Sequence, residues 1–172
     1  RKIYLRKIKS VLLLSLLSFS VLAQTCDINI PKTFSFVNNG DGTISDLSTK
    51  LMWKTCLEGY AGNNCTTGED STFTWQAALQ IPSTVNTTGG FAGFTNWRLP
   101  NTRELRSLLV FNNNNPLINT HYFPNTQSKP YWTSTSHQDD INTAVDVPFF
   151  YGGTYGSGKS FDSYIRAVRD AK

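Results

Sequence analysis

The chain has 172 residues, with 16 Lys and Arg against 12 Asp and Glu and a formal charge of +4. That length predicts one domain plus a small extra segment. The basic excess does not point to a nucleic-acid partner, because Arg1, Lys2, Arg6, Lys7 and Lys9 all stand in the first nine positions; without them 11 basic residues face 12 acidic ones.

Those basic residues precede an apolar run, Val11–Ala23, broken only by three serines. A basic start, a short apolar stretch and a Val-Leu-Ala end predict a secretory signal peptide over residues 1–23. The run has 13 residues, short of the roughly 20 that cross a bilayer, so no membrane span is expected in the mature chain. Residues 24–33 read as a linker and 34–172 as the single domain. Cys26, Cys56 and Cys65 then enter an oxidising compartment, where Cys56 and Cys65 are the natural pair. Cys26 has no evident partner. There is no C-x-x-C, and His121 and His137 have no helical spacing to each other or to a cysteine, so neither a metal nor any other cofactor is expected.

Further on, Thr33–Val37 and Thr43–Ser45 flank Asn38-Asn39-Gly40-Asp41-Gly42. Asn-Gly and Asp-Gly accept positive φ, which predicts a β-hairpin. A calcium loop is the wrong reading, since glycines occupy ligand positions and no Glu closes the loop. Leu51–Trp53 reads as a buried strand, and Cys56–Ser71 as a polar loop held by its disulfide. Thr74 can cap a helix over Trp75–Ile81, with Pro82 marking its end and Ser83–Phe94 a loop. Asn101 and Glu104 stand at capping-box spacing, with Leu105, Leu108 and Leu109 on the core face of the helix that follows. After the Asn112–Asn115 run and Pro116, strands are expected at Tyr131–Ser136, Thr143–Tyr151 and Ser163–Arg169. Two helices among many short strands predict an α+β domain.

One stretch invites a sharper reading. Gly153–Ser160, GTYGSGKS, matches the phosphate-loop pattern G-x-x-x-x-G-K-[ST] at every position. A phosphate loop needs a parallel βαβ frame and a later acidic strand for magnesium, and an exported domain leaves cytosolic nucleotides behind. The stretch therefore reads as a Gly-rich loop joining two strands. No G-x-S-x-G occurs, and the pairs Glu69-Asp70 and Asp139-Asp140 read as solvated loop acids, so no catalytic residue is nominated. Arg98, Arg166 and Arg169 could clamp an anion; pairing inside the fold is the favoured reading. Exposed aromatics near a flexible loop can stack on sugars or peptides, which nominates Tyr151, Tyr155, Lys159 and His137 as ligand contacts. At least one of Phe149 and Phe150 is expected in the core.

Several segments occur together in one order: NNGDGTISD and LMWK (Asn38–Lys54), FTWQAAL (Phe73–Leu79), GFTNWRLPNTRELRSLL (Gly93–Leu109), FPNT (Phe123–Thr126), YWTSTS (Tyr131–Ser136) and YIRAVR (Tyr164–Arg169). This set resembles the Lcl C-terminal domain family over about residues 34–170. WRLPNTREL is also similar to a segment of formylglycine-generating domains, which implies a C-type-lectin-like fold with two helices and the terminal strands close together. The resemblance implies an exported adhesin-like module for an extracellular glycan or protein, with sulfated glycosaminoglycans as one ligand class. Trp53, Trp75, Trp97 and Trp132 would form its scaffold. There is no Gly-X-Y tract here, so trimerisation by that route is not expected. A receptor-display domain of the retroelement-diversified kind, varying residues 137–142 and 152–162, is the alternative binding role. The formylglycine-generating enzyme reading lacks its chemistry, since no cysteine follows Cys65.

Overall fold

The computed structural model describes residues 36–111 and 114–171. The expected signal peptide, the linker and Cys26 lie outside them. The first hairpin forms as its turn residues dictate: β1 (Phe36–Asn38) and β2 (Thr43–Asp46) pair antiparallel. Gly40 and Gly42 take φ of 78° and 85°, the region open to glycine. The Asp41 carboxylate accepts the Thr43 N–H at 3.0 Å and its hydroxyl at 2.6 Å, so this acid closes a turn.

β3 (Leu51–Lys54) continues the sheet, placing fully buried Trp53 opposite fully buried Ile44. The last strand, β9 (Val168–Asp170), pairs antiparallel with β3, giving the order β1-β2-β3-β9. Early and late strands thus lie side by side, as the resemblance implied. The Cys56–Cys65 disulfide is present with Cα atoms 5.3 Å apart. The expected Cys56–Ser71 loop is less plain than predicted: β4 (Tyr60–Ala61) and β5 (Thr67–Gly68) pair within it, β5 just beyond the disulfide.

Helix α1 departs from expectation. It runs Trp75–Thr87, straight through Pro82, and takes up the first five residues of the predicted Ser83–Phe94 loop. Proline removes one helical hydrogen bond, a local cost that tertiary contacts can offset. Pro82 lies buried with Ala78 one turn before it. Beyond it, Asn86 exchanges two hydrogen bonds with the Trp97 backbone, at 2.8 and 2.9 Å. Helix α2 (Thr102–Arg106) starts at the predicted capping box: Asn101 accepts the Glu104 N–H at 2.9 Å and Glu104 accepts the Asn101 N–H at 2.8 Å. Leu105, Leu108 and Leu109 are buried.

The second main sheet is a meander of β6 (Pro130–Ser136), β7 (Thr143–Pro148) and β8 (Tyr155–Gly158). Two expectations change here. β7 stops at Pro148, three residues early, because Tyr151 and Gly152 both turn back to donate to the Pro148 carbonyl. The supposed loop after it contains β8, antiparallel to β7. Of Ser163–Arg169 only the end is regular strand; Ser163 and Tyr164 make single bridges to Phe73 and Tyr131.

The core has two clusters. One gathers Trp53, Leu105, Phe123, Tyr131, Phe149 and Val168 among others. The second packs Ala78, Leu99, Trp132, Ala144 and Ile165, with Trp75 and Leu79 at its margin. Two helices and nine short strands among the described residues make this an α+β fold. No helix of the described residues is long and apolar enough to cross a membrane.

Candidate functional site

The tryptophans expected to form the scaffold are mostly core. Trp53 and Trp132 are fully buried and Trp97 is nearly so. Trp132 donates its indole N–H to the Phe73 carbonyl at 2.7 Å, and Trp97 to Phe91 at 3.0 Å. Trp75 is only half-buried, and its indole N–H reaches the Thr133 carbonyl at 2.8 Å.

The three arginines are each engaged within the fold. Arg98 binds Glu104 through two hydrogen bonds of 2.7 and 2.8 Å and Asp170 through a third. The Glu104 hydrogen bonds raise its pKa further. Arg166 is fully buried, donates to the carbonyls of Lys54 and Thr55 and the hydroxyl of Thr126, and lies over the Phe123 ring. Burial lowers its pKa to about 10, so it remains a cation at neutral pH. Arg169 donates to Asn96 at 2.7 Å and lies over the Phe94 ring at 3.8 Å. A guanidinium bound on its carboxylate or carbonyl partners has little left for an external anion.

The four nominated contacts do not form one cluster. Tyr151 and Tyr155 do meet: they are 61% and 52% exposed, their centroids are 6.0 Å apart and their planes are inclined at 53°. Lys159 points elsewhere. Its ammonium lies over Trp75, 4.5 Å from the centroid, and donates to the Ile141 carbonyl. Antiparallel pairing of β7 with β8 also removes the parallel frame a phosphate loop requires. The His137 ring lies against Gly156, on the face of β8 opposite Tyr155, because neighbouring strand residues alternate faces.

The glycines explain the shape of this edge. A methyl at Gly153 would come within 2.7 Å of the Tyr151 ring and 3.6 Å of Tyr155. At Gly152 it would meet the Phe111 ring at 2.7 Å, and at Gly156 His137 at 2.7 Å. Rings can lie this close only where no side chain intervenes. Phe111, 70% exposed, thereby joins the hairpin tip across Gly152, while Phe149 is fully buried and Phe150 exposed. Sequence reasoning did not nominate Phe111. Its signal was an apolar residue standing directly before the asparagine run.

A second surface is concave. A cleft of about 490 Å³ is lined by Leu79, Pro82 and Asn86 of α1, the Trp97–Leu99 segment and Glu104 of α2, among others. Its polar groups hold one another: Glu104 takes Arg98 and the Asn101 N–H, and Asn86 takes the Trp97 backbone. Among the described residues, no group of three or more His, Cys, Asp or Glu side chains is placed to hold a metal ion.

No curated protein matches the chain. The family model described as the Lcl C-terminal domain matches residues 42–169, from the first hairpin turn into β9. That span contains both helices, the disulfide, the aromatic hairpin and the main sheets apart from β1, and the chain belongs to the Lcl C-terminal domain family.

Proposed function

We propose that this protein is an exported, non-catalytic ligand-binding module that contacts an extracellular glycan or protein through the tip of its β7–β8 hairpin. The observation that carries the reading is the pair Tyr151 and Tyr155, large rings left more than half exposed beside a fully buried Phe149. Aromatic rings of this kind supply contact area at little conformational cost. The disulfide suits an oxidising compartment. Against an oxidase of the formylglycine-generating kind, Cys56 and Cys65 are bonded to each other, so neither is a free thiol. A display domain that varies residues 152–162 is less suited to a segment carrying β8, with Lys159 fixed on Trp75.

The test is a glycan-array screen of the purified mature protein, heparin-like polymers included, repeated with Tyr151→Ala. Saturable binding that the substitution abolishes supports the reading. Binding that Tyr151→Ala leaves intact places the ligand elsewhere.

A further inference from the structure

We infer that the hairpin tip is a binding site for an uncharged carbohydrate chain, formed by Phe111, Tyr151 and Tyr155 and shaped by Gly152 and Gly153. The inference rests on the tip being the ligand face and specifies what it takes.

Charge is the first argument. Pro148–Gly158, PFFYGGTYGSG, is eleven consecutive residues without a charge. The described residues carry nine basic side chains against eleven acidic ones. Five of the nine already have partners: Lys54 pairs with Glu58, Arg98 with Glu104 and Asp170, and Arg166, Arg169 and Lys159 are held as described above. Lys50, Arg103, Arg106 and Lys129 remain, on three separate segments. A sulfated polymer is recognised through several converging free cations, and the tip offers a different chemistry. It has ring faces, the Tyr151 and Tyr155 phenol groups and the exposed Thr154.

Shape is the second argument. The C–H groups on one face of a pyranose are apolar and carry partial positive charge, so they pack on the negative face of an aromatic ring. Tyr151 and Tyr155, inclined at 53° above the bare backbone of Gly153, form an open V whose floor has no side chain. Phe111 extends the surface on the Gly152 side. The tip is also small. A stable protein interface takes roughly 20–30 residues a side, whereas this hairpin contributes eleven and its neighbour Phe111 one.

Gly153 provides a clean probe. Its φ is not in the left-handed region, so alanine fits the backbone, and the added methyl meets only the movable Tyr151 ring at close range. Gly153→Ala should therefore re-aim the ring and leave the fold alone. Gly152, at φ 76°, would not separate the two effects.

The experiment is affinity electrophoresis and calorimetry of the full mature chain against uncharged polysaccharides (a β-glucan, a xylan and a mannan) and against heparin, at low and physiological salt. The expected result is binding to an uncharged polymer that is insensitive to salt. Gly153→Ala and Phe111→Ala should each weaken it about tenfold with the melting temperature unchanged. Heparin binding that collapses with salt, alone and lost in Tyr151→Ala, overturns the uncharged ligand while leaving the tip as the ligand face. Uncharged-polymer binding that Tyr151→Ala leaves intact overturns the tip itself. No binding to any polymer overturns the carbohydrate assignment, and a melting-temperature loss in Gly153→Ala overturns its role as a seat for the ring.

Discussion

The hairpin tip and the α1–α2 cleft differ most in their internal bonding. The cleft is concave and rich in hydrogen-bonding groups, the usual description of a small-molecule site. Yet Arg98, Glu104, Asn101 and Asn86 each satisfy a neighbour inside the fold. The tip has few polar groups, but its rings stand out in solvent, 52–70% exposed. Binding needs groups whose interactions are not already made, so the tip is the better surface.

That contrast predicts two classes of variant, one losing stability and the other losing affinity. The largest effect is expected from Trp97→Ala beside the cleft. Its ring is buried, meets the Phe91 ring edge-on and donates its indole N–H to the Phe91 carbonyl, and truncation should cost about 3–5 kcal/mol in urea unfolding. A loss under about 1 kcal/mol would break the claim that the cleft wall is scaffold. Glu104→Ala removes the cap on Asn101 and both bonds to Arg98, and should cost about 1–2 kcal/mol without altering ligand affinity. Tyr151→Ala and Tyr155→Ala should move unfolding by no more than about 0.5 kcal/mol while weakening binding about tenfold. If both unfold the domain instead, the rings are part of the core and the comparison fails.

The smallest effect concerns Asp146, buried opposite Tyr155 at the base of the tip. Burial raises its pKa above the ordinary 3.8, opposed by a hydrogen bond from Ser157. The folded state therefore holds that proton more tightly than the unfolded chain. The contribution is fully present below the ordinary value and is lost as pH rises through the raised one. Asp146→Asn, which can still accept from Ser157, should flatten the stability profile across that window. An unchanged profile would show that Asp146 is not its source.

Much of this fold was legible because the signals were local. Asn101 and Glu104 lie three residues apart and bond each other directly, and Asn38–Gly42 forms a hairpin from its own turn preferences. The family segments were legible as an ordered set. Pro82 misled because the contacts that keep α1 going, chiefly Asn86 with Trp97, come from 11 residues away. β8 was hidden because Tyr155–Gly158 has two glycines and no alternating apolar pattern. At the site, the Gly-rich setting nominated Tyr151 and Tyr155 but left core and surface open for both; the fold leaves them exposed. Lys159 was nominated as part of a Gly-rich loop, when its position is set by Trp75 and Ile141. Phe111 could not be found in sequence, since the hairpin is about 40 residues away and only the folded chain brings Gly152 beneath its ring.

The most direct measurement titrates one bound polysaccharide into three proteins: the parent, Tyr151→Ala at the tip and Ser83→Trp, which fills the cleft from its α1 wall. The account predicts affinity about tenfold lower in Tyr151→Ala and equal to the parent in Ser83→Trp. Affinity lost in Ser83→Trp and retained in Tyr151→Ala would contradict it and move the binding site to the cleft.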